Sequence, residues 1–279
     1  MFQYAAGRFL SMLHEVPLRL DTQDFKGYTL HNGFELHRIF DIDAQIASNR
    51  DVRQVLGWRA FNPLRRKLFH KRFLKFRGTS LFVDSLSNYR YNLTNMPDAC
   101  YLMGNWQSER YFVHIMDTIR SDFRFRTAPA GKNAELAELI SNTTAVSLHI
   151  RRGDIAVDPT SLAVHGLCSL DYYRKAIEYV APKLAKPEFV IFSDDMHWVR
   201  ENLHVSYPCY YVNNNKGLES FNDMRLMSMC QHHIIANSSF SWWGAWLNPS
   251  KEKIVVAPQR WFAANYDSSD IVPSSWKQI

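Results

Sequence analysis

Residues 145–154 read Ala-Val-Ser-Leu-His-Ile-Arg-Arg-Gly-Asp, and the change of chemistry inside that stretch sets the fold. Ala145 to Ile150 has the composition of a buried strand, and it stops at two adjacent arginines and a glycine. The same pattern recurs downstream. The sequence predicts a helix from Leu170 with Ser169 as its N-cap, a strand over Phe189 to Ser193 and a short helix from Met196. It then predicts a strand from Cys209, a helix from Leu218, a strand over His233 to Ala236, a helix from Ser239 and a strand from Lys253. Continuous apolar strands alternating with helices describe an α/β fold, a parallel sheet covered on both faces. Ligands of such sheets bind at the carboxyl ends of the strands, so the residues that follow each strand are the candidate site.

The first strand delivers Arg151, Arg152, Gly153 and Asp154. Guanidinium forks match phosphate oxygens and keep their charge at neutral pH. Side-chain alternation sends Arg151 off the strand on the same face as His149. The next strand ends in Ser193, Asp194 and Asp195. A carboxylate there accepts from ribose hydroxyls or from the N–H edge of a guanine, or else it caps the following helix. The fourth strand runs into Asn237, Ser238, Ser239, Phe240, Ser241, Trp242 and Trp243. Backbone N–H groups and the helix dipole favour an anion where that helix begins, and serine hydroxyls add donors; a cap alone needs only one of them. The tryptophans read as core, or as packing between the halves. Together these loops describe a pocket for a nucleoside diphosphate. No Gly-x-x-x-x-Gly-Lys loop and no Gly-x-Gly-x-x-Gly fingerprint after a strand is present, which argues against a P-loop NTPase and a dinucleotide oxidoreductase. Asp154 and His149 are the candidate general bases by proximity, and either can instead orient the arginines. A divalent metal is the other way to neutralise a diphosphate. Asp41-Ile42-Asp43 is a common acidic pair, and His232 and His233 point to opposite faces of a strand, so neither makes a strong metal site.

The first half carries fewer signals. Phe2 to Val16 is apolar at helical spacing, Leu18 to Leu20 and Ala99 to Gly104 read as strands, and Ser108 to Ile119 reads as a helix with Glu109 in its first turn. The chain has 279 residues, one large domain or two ordinary ones, and Ala128 to Lys132, with Pro129 and Gly131, is the expected boundary. That places an incomplete first lobe at 1–129 and a second at 130–279. Hydrophobic residues make up 46% and charged residues 22%, which excludes intrinsic disorder, collagen and a disulfide-stapled miniprotein. Cys100, Cys168, Cys209 and Cys230 form no Cys-x-x-Cys pair, which points to a reducing compartment. The sequons at Asn92, Asn142 and Asn237 read as chance. No apolar run reaches the length of a membrane span, and Arg8 interrupts the apolar start, so the cytoplasm is the expected location.

Charge is unevenly spread. The net charge is +6, yet Arg50 to Arg77 alone holds ten basic residues against Asp51, leaving −3 for the rest of the chain. In RRKLFHKRFLKFR, from Arg65, the apolar residues Leu68, Phe69, Phe73, Leu74 and Phe76 recur at roughly helical spacing. An amphipathic helix there has either a solvated basic face or peripheral contact with anionic lipid on the inner face of a membrane. No nucleic-acid motif accompanies the charge, so no nucleic-acid partner is expected.

His149-Ile-Arg-Arg-Gly-Asp154, followed by His232-His-Ile-Ile-Ala-Asn-Ser-Ser-Phe-Ser-Trp-Trp-Gly-Ala-Trp-Leu247, resembles the alpha-1,2-fucosyltransferase family of glycosyltransferases. The opening MFQYAAGRFL resembles the family's N-terminal motif, and WWGAWLNP resembles its bacterial members, so the likeness runs from end to end. It implies a GT-B-like architecture of two Rossmann-like lobes, with the donor on the C-terminal parallel sheet. It implies GDP-fucose as donor, a galactose-containing glycan as acceptor, transfer to a 2-hydroxyl with inversion, an arginine of the Arg151–Arg152 pair on the β-phosphate, and no metal cofactor. In the family a Gly-rich segment ending in Gly-Asn-Gln precedes MFQYA. The sequence begins at Met1 without it, so weak or absent turnover is expected of this chain. A nucleotide-sugar-binding homologue without turnover and a fucosyltransferase acting on protein are the alternatives.

Overall fold

A computed structural model describes the whole chain except residues 27–31, 69, 85–88 and 90. It divides into two compact units, Met1–Arg126 with Tyr266–Pro273, and Thr127–Asn265 with Ser274–Ile279. The second half is therefore not contiguous. Tyr266–Pro273 groups with the first unit because Asp270 accepts from the Tyr89 N–H at 3.0 Å and pairs with Arg110 at 2.6 Å.

In the first unit the parallel pairs are β1 (Arg19–Leu20) with β2 (Gln45–Ile46), and β3 (Leu81–Asp84) with β4 (Tyr101–Gly104). The apolar N-terminus forms a helix over Phe2–Leu13, its Phe2, Tyr4, Ala5, Ala6 and Leu10 buried. A second helix, Asn49–Leu56, starts at a reciprocal capping box between Ser48 and Asp51. Its Val52 and Leu56 pack with Leu68, Leu81 and Val83 as a small core.

Two expected helices of this unit take other forms. Ser108–Ile119 is two 3₁₀ turns, Glu109–Tyr111 and Val113–Ile115, followed by a helix over Met116–Asp122. Aromatic and β-branched residues, which lose rotamer freedom in a helix, crowd its start. The basic stretch is likewise not one amphipathic helix: Asn62–Lys67 is helical and Lys71–Phe76 is 3₁₀. Leu68 is buried and Phe76 is exposed, so its apolar residues do not share one face; Phe69 and the Leu74 side chain lie outside the described residues. Among the described residues no helix is long and apolar enough to cross a membrane.

The second unit is built on a six-stranded parallel sheet: β5 (Thr144–Ile150), β6 (Pro187–Ser193), β7 (Cys209–Val212), β8 (His232–Ile234), β9 (Val255–Ala257) and β10 (Lys277–Gln278). Its order is β10-β9-β8-β5-β6-β7. The α/β class expected from the sequence is what the structure shows. One face of β5, with Val146, Leu148 and Ile150, is covered by Tyr172, Tyr173, Ala176, Ile177 and Val180 of the helix Leu170–Val180. The other packs Ala145 with Phe192, Leu226 and Met227. Strands with no exposed apolar face each bury several side chains worth about 2 kcal/mol apiece, which explains their unbroken hydrophobic reading. Trp242, Trp243 and Trp246 are buried, Trp242 lying against Trp246 and Trp276, so the tryptophans are core of this unit.

The path through this sheet positions the site. From β5 the chain steps outward to β6 and β7, then returns across β5 to lay down β8, β9 and β10. The direction of winding reverses between β5 and β8, and such a switch point opens a crevice at the carboxyl ends of the two strands.

Candidate active site

Three turns leave adjacent strands at that crevice. Ile150 pairs with Ser193 across β5 and β6, and Leu148 pairs with Ile234 across β5 and β8. The turns after His149, Ser193 and Asn237 therefore emerge side by side, roughly one strand spacing of about 5 Å apart. The rings of His149 and Phe240, from the first and third turns, lie 6.0 Å apart.

The arginine loop is held by acids. Arg151 is ion-paired with both Asp154 and Asp194. Asp194 also accepts from the Arg152 N–H at 2.9 Å. Arg152 lies over the Trp198 ring, 3.6 Å from its centroid, with Asp195 at 3.6 Å. Such stacking contributes about 1 kcal/mol and fixes the plane of the guanidinium. Both arginines keep 20–25% of their side chains exposed, so they are positioned rather than sequestered. Gly153 leaves room for Asp194: a β-carbon there would stand 2.8 Å from Asp194 Cγ and push that carboxylate off the arginine loop.

Several expected ligand contacts are spoken for inside the protein. Asp194 serves the arginine loop, and Asp195 caps the helix Met196–Asn202 by accepting from the Trp198 N–H at 3.2 Å. Ser193 Oγ accepts from the Asp195 N–H at 3.0 Å. In this structure the aspartates organise the loop, supplying counter-charge to two neighbouring arginines and a cap to the helix that follows. Asn237 donates to the carbonyls of His165 at 2.9 Å and Trp261 at 3.1 Å, and accepts from Cys168 Sγ at 3.4 Å. Its amide ties the turn after β8 to the loops at His165 and Trp261. Ser238 caps the helix Ser239–Leu247 by accepting from the Phe240 N–H, and the buried Ser241 donates back to Ser238 O. Of the three serines, Ser239 is the one exposed at the helix N-terminus, with Phe240 half-buried behind it.

His149 departs from the expectation of a general base. It is 6% exposed, and burial together with the nearby Arg151 charge pulls its pKa down to about 3. A base that weak accepts a proton poorly at neutral pH. Asp154, with 63% of its side chain exposed, is the accessible carboxylate of the loop.

The other histidines and acids are placed elsewhere. His233 is buried between Ser147 Oγ at 2.8 Å and Asn248 Nδ2 at 3.0 Å, and burial holds its pKa well below the usual value. His232 Nδ1 accepts from the Ile254 N–H at 3.0 Å. Asp41 lies 3.7 Å from Arg126. Among the described residues no three His, Cys, Asp or Glu side chains gather where they could share a metal ion.

Sequence reasoning missed two residues of this region. Trp198 beneath Arg152 is signalled by its place three residues after the cap Asp195, which turns its ring toward the strand end. Asp223 follows β7; it accepts from Asn215 at 2.7 Å, and burial raises its pKa to about 7. No motif announces it.

The comparisons with known proteins take in the residues of this site. The family model of glycosyl transferase family 11 matches residues 65–279, including all three turns. The chain belongs to glycosyl transferase family 11. An alpha-1,2-colitosyltransferase of Escherichia coli is 34% identical over all of this chain and 94% of its own length. The O-antigen biosynthesis glycosyltransferase WbnK of Escherichia coli is 47% identical over 99% of this chain and 95% of its own. A galactoside alpha-(1,2)-fucosyltransferase 1 of Leontocebus fuscicollis is 25% identical over 49% of this chain and 40% of its own. The resemblance to the alpha-1,2-fucosyltransferase family read from the sequence is borne out at the level of the family.

Proposed function

We propose that this glycosyltransferase moves L-fucose from GDP-fucose to the 2-hydroxyl of a galactoside, with inversion and without a metal ion, in building a cell-surface glycan. The observation that carries the reading is the arginine pair at the winding reversal of the sheet, part-exposed, with Arg152 stacked on Trp198 and both beside acids that a diphosphate can displace. As the glycosidic bond to the phosphate breaks, the sugar gains positive charge and the leaving diphosphate gains negative charge. Cations fixed at that oxygen hold it more tightly in the transition state than in the ground state, which is what accelerates the step. Arg151 and Arg152 take that role, supported by the N-terminus of the helix Ser239–Leu247 and the Ser239 hydroxyl. When phosphate oxygens replace Asp154 as the partner of Arg151, the freed carboxylate accepts the acceptor's hydroxyl proton; His149 stays neutral and shapes the loop.

Two relatives favour a cell-surface product with a 1,2 linkage, one by the words alpha-1,2 and the other by O-antigen biosynthesis. The colitosyltransferase at 34% identity also favours a second reading, in which the sugar is colitose and the rest of the mechanism is unchanged. Transfer assays with lactose, with GDP-fucose and the corresponding colitosyl donor in parallel, and with EDTA present, test this. Fucosyl transfer that survives the chelator is expected. Transfer from the colitosyl donor alone replaces the donor assignment, and transfer abolished by EDTA and restored by a divalent ion overturns the metal-free mechanism.

A further inference from the structure

An open cleft of about 480 Å³ lies in the first unit and is lined by none of the residues of the candidate active site; Gln23, Asn49, Arg53, Trp58 and Phe61 are among its lining. Trp58 is 63% exposed and Phe61 67% exposed. Large aromatic side chains left in water add nothing to a core, and paired with polar neighbours they mark a binding surface.

Their backbone is pinned. The helix leading to Trp58 carries the Ser48–Asp51 capping box, and Asp51 is also ion-paired with Arg19. Gly57, in the left-handed region at φ +59°, turns the chain out of that helix into the 3₁₀ turn Gly57–Ala60. The next residue, Arg59, is clamped: it donates to Leu56 O at 3.0 Å, to Arg77 O, and to Ser80 Oγ at 3.1 Å. Trp58 is thus presented outward from a fixed frame, which lowers the cost of ordering it on binding.

The polar lining is of one kind. Gln23 Nε2 donates to Asn49 Oδ1 at 2.7 Å, and the Gln23 side-chain carbonyl and the Asn49 amide N–H groups have no partner among the described residues. Arg53 is exposed, and its guanidinium has no partner among the described residues. A flat apolar ring beside amide groups and an Arg fork matches a pyranose, which offers a C–H face to the indole and vicinal hydroxyls to the donors and acceptors. A lipid surface needs the reverse, apolar groups rimmed by cations without amides between them.

We infer that this cleft is a saccharide subsite in which Trp58 stacks on a sugar ring of the acceptor glycan while Arg53, Asn49 and Gln23 hold its hydroxyls. The inference rests on the glycosyl-transfer reading for the identity of the sugar as acceptor, not for the binding itself.

The test is saturation-transfer difference NMR on the full chain with lactose as the probe, beside transfer kinetics and a separate GDP titration. Trp58→Ala should weaken lactose at least about tenfold and raise the acceptor KM by a like factor, as expected for an aromatic anchor, with kcat, donor KM and GDP affinity unchanged. Trp58→Phe should recover part of the loss, and circular dichroism should show both variants folded. Lactose binding and acceptor KM untouched by Trp58→Ala overturn the proposal. So does a result in which the variant loses binding only to phosphatidylglycerol vesicles, which assigns the surface to lipid. Failure of the unaltered chain to bind GDP sinks the transferase reading instead, and the lactose titration still reports on the cleft.

Discussion

Arginine is put to opposite uses in two parts of this molecule. In the stretch 50–77, where the sequence concentrates positive charge, three arginines are scaffold. Arg65 is 1% exposed and paired with Asp21 at 2.6 Å; Arg77 is buried and donates to Leu68 O at 2.9 Å; Arg59 clamps a turn. At the carboxyl end of β5 only two arginines occur, yet they remain part-exposed beside carboxylates that a stronger anion can displace. Charge density alone does not mark a site. A cation becomes functional where the backbone delivers it to a crevice and its counter-ions are exchangeable.

That contrast can be broken or sharpened by substitution. The largest effect is expected from Arg65→Ala, which leaves the Asp21 carboxylate with the Tyr101 hydroxyl and the Gln23 N–H but no counter-charge in a site only 6% exposed. Breaking a buried pair in this way costs about 3–5 kcal/mol. Urea unfolding should show the loss, while GDP affinity per folded molecule stays unchanged. Arg151→Ala and Arg152→Ala should show the mirror image. Each should lower kcat/KM by at least about a hundredfold, close to 3 kcal/mol. Their urea midpoints should barely move, because part-exposed ion pairs contribute little to stability. Equal effects of the two classes on stability and on turnover would erase the distinction.

Asn237→Ala lies between these extremes. It unties the turn after β8 from the His165 and Trp261 carbonyls and should cost about 2 kcal/mol in unfolding experiments, with weaker GDP binding as a consequence. A variant of full stability would mean that the loops are held by other contacts.

The smallest effects concern pH, and here two buried groups oppose each other. The folded His149 refuses a proton until about pH 3, whereas the unfolded chain takes it near 6.5. Between those values the unfolded state binds more protons, so stability falls as pH drops below 6.5. Asp223 keeps its proton up to about pH 7 when folded but loses it near 3.8 when unfolded. Its contribution therefore falls as pH rises from about 4 to 7 and is level above that, on the order of 2 kcal/mol for a carboxyl only partly shielded from water. Urea midpoints should be nearly level from pH 4 to 6.5 in the unaltered chain, should fall with rising pH in His149→Gln, where Asp223 acts alone, and should rise with pH in Asp223→Asn, where His149 acts alone. Unaltered profiles in both variants would contradict these assignments.

How much could be read in advance follows the same division. β5, β6, β8 and β9 are largely buried, so their apolar runs announce them within two or three residues, whereas the polar, exposed β10 goes unannounced; strand ends in a parallel sheet locate the site without coordinates. The partners of each polar group were not legible. Asp194 and Asp195 look alike in sequence, yet one is turned onto the arginine loop and the other onto a helix cap by the pairing of β5 with β6. Asn237 looks like a ligand residue until the return of the chain at His165 and Trp261 occupies its amide. In the first unit, beyond the N-terminal helix Phe2–Leu13 that its spacing announces, the strands are two to four residues long and much of the helix is 3₁₀, so little periodicity runs far enough to be read.

The most direct measurement compares calorimetric titrations of GDP and of guanosine into the folded chain and into an Arg151→Ala/Arg152→Ala double variant. If the two guanidinium groups hold the diphosphate at the winding reversal, GDP binds far more tightly than guanosine to the unaltered chain, and the difference collapses in the double variant while guanosine binding is retained. Equal affinity for GDP and guanosine in the unaltered chain, or an undiminished preference for GDP without the two arginines, would contradict the account.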